Sequence, residues 1–230
     1  MKKEYTILAP QMSPIHFRLL QPAFAKSGYN IEILPSVDHQ AVEEGLKYVN
    51  NDACYPSILV VGQMMNALKS QKYDLNKVAL IVTQTGGGCR ASNLYQLSAK
   101  GPAGRENVPE FRSLSLSAGG LEKHPGFSIT PGLINRAMMS VVYGDLFMHL
   151  LYRVRPYEQV PGSANALYEK WNAIATENVQ NGNWFTYVRN IRQMVAEFDA
   201  FPCIVHRKTK GGYCRRNSGS NIIRPAIIIW

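Results

Sequence analysis

The sequence predicts an α/β fold: a doubly wound, mainly parallel sheet with a helical C-terminal appendage. Three observations predict it. Short apolar runs alternate with segments of helical period through the first half of the chain. Two helical segments open on a cap-plus-proline pair, Ser13-Pro14 and Thr130-Pro131. Val78-Ala79-Leu80-Ile81-Val82 is a continuous apolar run of the kind buried on both faces of a parallel sheet.

The elements follow in order. Tyr5-Thr6-Ile7-Leu8 reads as a short strand. The helix opened by Ser13-Pro14 carries Phe17, Leu20 and Phe24 at helical spacing and stops at Gly28. Ile31-Glu32-Ile33-Leu34 is an alternating strand closed by Pro35, and Ala41 to Val49 a second helix. Pro56 opens a third, with Leu59, Val60, Gln63, Met64, Ala67 and Leu68, reaching about Ser70. The strand Val78–Val82 runs into Thr85-Gly86-Gly87-Gly88-Cys89-Arg90. Leu114–Ser117 is a further strand, and the Thr130-Pro131 helix reaches Tyr152 or beyond, stopped by Pro156. Pro156 to Gly162 is a linker by composition. Two helical stretches follow, about Ala164–Val179 and Trp184–Phe198. The domains expected are residues 1–155, a linker at 156–162, a helical segment at 163–200 and a tail at 201–230.

The chain is 46% hydrophobic and 18% charged, which suits a globular protein with a core. No run of about eighteen apolar residues is present to span a membrane. The N-terminus lacks the apolar stretch and cleavage site of a signal peptide, so a cytoplasmic protein is expected. The net charge of +9 suggests nucleic acid, but its distribution argues against it. Residues 201–230 hold six Lys/Arg and no Asp or Glu; the first 200 carry 19 basic against 16 acidic residues, a net +3. There are four cysteines, Cys54, Cys89, Cys203 and Cys214, and no CxxC pair, which disfavours a zinc ribbon or a thioredoxin-type site.

Cys54 and Cys89 carry the chemistry. Each follows the end of an element and precedes an expected helix start, and they lie 35 residues apart. In an open α/β sheet, loops at the carboxyl ends of the strands converge, so two such cysteines can face each other across one βα unit. A helix N-terminus favours thiolate over thiol, and thiolates beside open N–H groups suit an iron–sulfur cluster. Gly86-Gly87-Gly88 lets the backbone approach a bulky group closely. Three other readings stay open: small buried cysteines in a cluster-free scaffold or subunit-docking module, a nucleotide loop at the triple glycine, which lacks the Lys-Ser/Thr ending of a Walker motif, and an inactive gene fragment.

The segments KEYTILAPQMSPIHF, GLKYVNNDACYPSILVVGQ, QTGGGCRASN, AGGLEKHPGF, TPGLINRAMM, VYGDLFMHLLYRVRPYE and PGSANALYEKW resemble the C-terminal portion of the acyl-CoA dehydratase activase-related proteins. That family joins ATPase-type activase modules to a region similar to the cluster-bearing subunits of 2-hydroxyglutaryl-CoA dehydratase. The resemblance covers about residues 3–200, with a gap near 94–113. It implies that Cys54 and Cys89 ligate a cluster of the 4Fe–4S type, and that residues 1–155 form a cluster-binding domain. It also implies that Pro56, Gly86, Gly87, Gly88, Arg90 and Asn93 shape the site. Arg90 either neutralises an anionic cluster or substrate phosphate, or lies idle at the surface. ATP belongs to activase modules not seen in this chain. The implied partners are the activase ATPase module and dehydratase subunits, with an acyl-CoA as substrate class, and neither nucleic acid nor membrane. The resemblance implies a part in ATP-driven electron transfer, not an enzyme active alone. Two thiolates do not complete four-thiolate ligation. The rest falls to missing sequence, water or hydroxide, a partner, or Cys203 or Cys214.

Residues 208–225, KTKGGYCRRNSGSNIIRP, do not read as a folded segment. Shifted by one base, suitable codons read KPKVGIVGEILV, and shifted again near Ser220 they read KYHPTGN, which resembles the family's next strand and loop. The tail is therefore expected to be out-of-frame translation, the alternative being a genuine divergent tail. Residues 98–113 look similarly foreign. His16 reads as a core or cap residue of the first helix, and His39, His124 and His149 have no metal-ligand spacing. Met138, Met139 and Met148 fit helix packing. Tyr143, Tyr152, Tyr157, Trp171 and Trp184 read as core or interface, and Glu43-Glu44 as a solvated face. No Ser-His-Asp arrangement can be assigned from the sequence.

Overall fold

The computed structural model describes residues 4–35, 39–50, 52–84, 112–117 and 127–204. It is an α/β structure built on a parallel sheet of four strands, β1 (Thr6–Ala9), β2 (Asn30–Ile33), β3 (Val78–Gln84) and β4 (Arg112–Ser117), in the order β2-β1-β3-β4. Ala9 pairs with Ile33, Leu8 with Leu80 and Gln84 with Ser117. The helices are α1 (Pro14–Lys26), α2 (His39–Tyr48), α3 (Tyr55–Lys69), α4 (Pro131–Val154), α5 (Ser163–Asn181) and α6 (Trp184–Asp199).

Strand alternation divides the core. Ile7, Ala9, Ala79 and Ile81 pack with Phe17 and Phe24 of α1 and with Leu133 of α4. Leu8, Val78, Leu80 and Val82 pack with Ile58, Val61, Met64, Met65 and Leu68 of α3. Successive side chains of a strand point to opposite faces, so both faces of β1 and β3 are covered. That is why the β3 run is apolar without interruption.

A third cluster lies beyond α1. Its Leu19 and Ala23 join Met139, Tyr143 and Phe147 of α4, Tyr168 and Trp171 of α5, and Tyr187, Met194 and Phe198 of α6. The rings meet edge to face, Tyr143–Tyr187 at 5.0 Å and Phe147–Tyr168 at 5.2 Å between centroids. The helices 163–199 thus share a core with α1. The stretch 156–162 holds part of a short 3-10 turn (Arg155–Tyr157) and the loop into α5. There the Glu158 carboxylate accepts N–H bonds from Gly162 and Ala164, both at 2.8 Å.

The ends of the helices follow from local chemistry. Gly28, at φ +87°, takes the left-handed turn after α1, and Gly182, at φ +68°, does so between α5 and α6. The Thr130 hydroxyl accepts from the Leu133 N–H at 3.2 Å, and the Asn183 side chain from the Thr186 N–H at 3.1 Å. Ser13 and Cys54 occupy the equivalent positions of α1 and α3, yet neither side chain makes such a bond.

Candidate functional site

Cys54 stands at the amino end of α3, and the way α3 is held decides where its thiol goes. α2 and α3 form an antiparallel pair. A β-carbon on Gly45 would lie 2.1 Å from the Ile58 carbonyl oxygen, and one on Gly62 would lie 1.7 Å from that of Ala41. Only glycine fits at either position, and the two backbones touch. From Lys69 the chain returns through a 3-10 turn at Leu75–Lys77 to the start of β3, so α3 runs opposite to the strands. The buried Gln63 of α3 accepts from the Gln11 backbone N–H at 3.0 Å, just past the carboxyl end of β1. Tyr55 lies eight residues earlier on the helix, about 12 Å further along the axis. Cys54 therefore projects beyond the carboxyl edge of the sheet.

The lead-in is equally specified. Asn50 caps its own turn, its side chain accepting from the Asp52 N–H at 3.1 Å and its carbonyl from the Ala53 N–H at 2.9 Å. The Cys54 carbonyl then takes the Ser57 N–H at 2.9 Å and the Ser57 hydroxyl at 2.7 Å, starting the helix. Pro56 sits in the first turn, where its missing N–H costs nothing. Cys54, Tyr55 and Pro56 are all exposed. The reading of Cys54 as a small buried hydrophobe does not hold.

β3 leaves the sheet on the same side. Its register with β1 ends at Leu80, and the strand continues to Gln84, so it overhangs β1 by three residues beyond Ala9, about 10 Å. Gly86, Gly87, Gly88, Cys89, Arg90 and Asn93 follow that overhang and lie outside the described residues, as do His124 and Cys214. Cys203 is described. It forms an antiparallel bridge with Glu158 and packs against the aromatic cluster, not the cluster to which α3 belongs. Among the described residues, no three or more His, Cys, Asp or Glu side chains are grouped to hold a metal ion.

A cleft of about 640 Å³ opens between α1 and α5 near the carboxyl ends of β1 and β2. Its walls include Gln11, Arg18, Tyr152, Arg155 and Asn165. Arg18 makes two parallel bonds to Glu169, at 2.7 and 2.8 Å, and this pairing raises the guanidinium pKa. The charge of Arg18 is already answered.

Sequence reasoning missed a second constellation. The Ser13 hydroxyl lies 2.7 Å from His16 Nδ1, and His16 Nε2 lies 3.0 Å from Asp145 Oδ1. The contact joins α1 to α4 across 129 residues, so no local pattern reveals it. His16 is neither an apolar core residue nor a simple cap; it bridges two helices. Smaller corrections follow the same logic. Met139, Tyr143 and Trp171 are buried, Met138 is more than half exposed against the packing role expected of it, and Tyr152 and Trp184, read as core or interface, are more than half exposed and so are not core. Glu44 is no free solvated carboxylate: Lys47 and Lys69 both bond it at 2.6 Å, and the Lys47 bond is the larger cause of its lowered pKa.

No helix among the described residues is long and apolar enough to cross a membrane. No family model, no curated protein and no solved structure matches this chain.

Proposed function

We propose that the chain is an iron–sulfur-binding component of a 2-hydroxyacyl-CoA dehydratase and activase system, acting in ATP-driven electron transfer with parts outside this chain. On this reading Cys54 and Cys89 are two ligands of a 4Fe–4S cluster, Gly86–Gly88, Arg90 and Asn93 shape its surroundings, and Pro56 fixes the turn after the first thiol. The sheet is doubly wound, and the helices of 163–200 are an addition to it. The single observation that carries the reading is the exposed Cys54, held beyond the carboxyl edge of the sheet on the side from which β3 delivers the chain towards Cys89. An exposed thiol beside a helix amino end suits a metal ligand, because the open N–H groups of the first turn can bond the sulfurs of a bound anionic cluster.

The test is iron and acid-labile sulfide per chain, with a visible spectrum, after anaerobic reconstitution. Wild type should hold both stoichiometrically, and Cys54→Ala with Cys89→Ala should lose both. A folded wild type that takes up neither would overturn the reading.

A second reading, a cluster-free scaffold that docks partner subunits, is favoured by one feature. Ile134, Met138, Val141 and Val142 form an exposed apolar stripe along α4. That reading predicts subunit association unchanged in the double cysteine variant.

A further inference from the structure

We infer that Ser13, His16 and Asp145 form a nucleophile relay able to accept an acyl group from a small ester, independent of the cluster reading. Ser13 occupies the cap position of α1, where a serine hydroxyl ordinarily accepts an N–H bond from the first turn. Here it makes no such bond and lies instead 2.7 Å from His16 Nδ1. His16 Nε2 meets the Asp145 carboxylate at 3.0 Å. Asp145 can only accept, so the neutral imidazole that satisfies both contacts carries its proton on Nε2. That leaves Nδ1 as the acceptor for the Ser13 hydroxyl. A hydroxyl donating to a neutral imidazole whose far side is fixed by a carboxylate is the activated-nucleophile arrangement, with the two ring nitrogens in exchanged roles. Serine at a helix start with its base one turn on is also the spacing of the Ser-x-x-Lys nucleophiles.

The imidazole is built in. A β-carbon on Gly144 would lie 2.3 Å from His16 Cδ2, so α4 gives the ring its seat only because residue 144 is glycine. The His16 side chain is 14% accessible, while Asp145 is 71% accessible and Ser13 is partly open, flanked by exposed Met12 and Pro14. The loop bearing Ser13 follows β1 at the carboxyl edge of the sheet, where ligands of open α/β sheets bind. Phe17 N–H makes the first bond back into α1, to Ser13 O, so the Ile15 and His16 N–H groups have no acceptor within the helix. Such groups point past the amino end of a helix, the end that carries Ser13.

The step balances without a cofactor. Ser13 Oγ bonds to the ester carbonyl carbon as its proton passes to His16 Nδ1. The carbonyl electron pair moves to oxygen. Collapse expels the alkoxide, which leaves as the alcohol with that proton. Water, activated by the same nitrogen, then releases the acid. Ser13 and His16 are the reacting groups, and Asp145 positions the ring.

A fluorophosphonate probe tests this on the intact chain. Ser13 Oγ displaces fluoride from phosphorus, and intact mass with peptide mapping reads the adduct. The expected result is one adduct, on Ser13, absent in Ser13→Ala and formed about 100-fold more slowly in His16→Gln, the scale of a lost general base. Asp145→Asn, at an exposed site that leaves packing alone, should slow labelling, and Asp145→Glu should restore it. An unlabelled Ser13 in folded wild type would overturn the inference. So would wild-type labelling rates in His16→Gln or in Asp145→Asn.

Discussion

The two helical layers that cover the sheet are built on opposite principles. On one face, α2 and α3 meet backbone to backbone through Gly45 and Gly62, and the fully buried side chains beneath them are aliphatic or methionine, with Tyr48 and Tyr73 at the margin. On the other, α1 and the start of α4 face the sheet, and behind them α4, α5 and α6 enclose a core filled by Tyr143, Phe147, Trp171 and Phe198. The contrast separates two kinds of precision. Close backbone contact fixes one helix as a rigid rod and aims its end, which here carries Cys54. A ring-filled core fixes many side chains at once and can hold polar groups inside it. The buried Tyr143 hydroxyl donates to Asn178 Oδ1 at 3.0 Å, and Asn178 in turn donates to the Asn183 carbonyl at 3.1 Å.

The largest break should come from the ring-filled side. Phe147→Ala empties a fully buried site and should cost about 4 kcal/mol in urea unfolding. Gly62→Ala is the corresponding break on the other face. The added methyl meets the Ala41 carbonyl and must push α2 from α3, at a cost of about 3 kcal/mol. If the two layers are as distinct as they look, near-UV circular dichroism of the folded variants should separate them. Phe147→Ala should alter the signal of the ring-filled cluster, and Gly62→Ala should change only the contribution of Tyr48 at the α2–α3 contact.

An alkaline titration sharpens the same comparison. Burial pushes the hydroxyls of Tyr143 and Tyr187 up to about 12, against 10.0 for an ordinary tyrosine. The unfolded chain gives up these protons first. Their contribution is complete below pH 10 and falls as the pH rises towards about 12. Stability measured across that window should decline in wild type and decline less in Tyr143→Phe/Tyr187→Phe. The smallest effect lies at a helix cap. Thr130→Ala removes the acceptor of the Leu133 N–H and should cost about 1 kcal/mol, with the α2–α3 face unaffected.

Much of the fold is legible in the sequence because local signals and burial agree. Ser13-Pro14 and Thr130-Pro131 each open a helix where expected, Gly28 closes one, and the apolar run at Val78 is a strand buried on both faces. Cys54 is legible in the same way: it precedes Tyr55-Pro56, and Pro56 lies in the first turn of α3. What stays hidden is set by distance along the chain. Pro156 to Gly162 reads as a linker because its residues favour turns, but nothing local says that α5 and α6 will share a core with Leu19 and Ala23 of α1. Likewise Ser13 and His16 are neighbours on one helix, and only the packing of Gly144 against the ring brings Asp145 to close the set. Glycine at 144 and at 62 is silent as composition and decisive as geometry.

The Gly62 contact also works as an index mark for the thiol. Cys54 is eight residues upstream of it, and the helix between them turns about 100° per residue. Removing or adding a single residue within that span would leave α3 clamped to α2 as before, yet would swing the thiol about a quarter of the way around the helix axis. The span from Cys54 to Gly62 is therefore fixed in length. Any chain that uses this cysteine in this way should keep the interval of eight even where every other residue in it has changed.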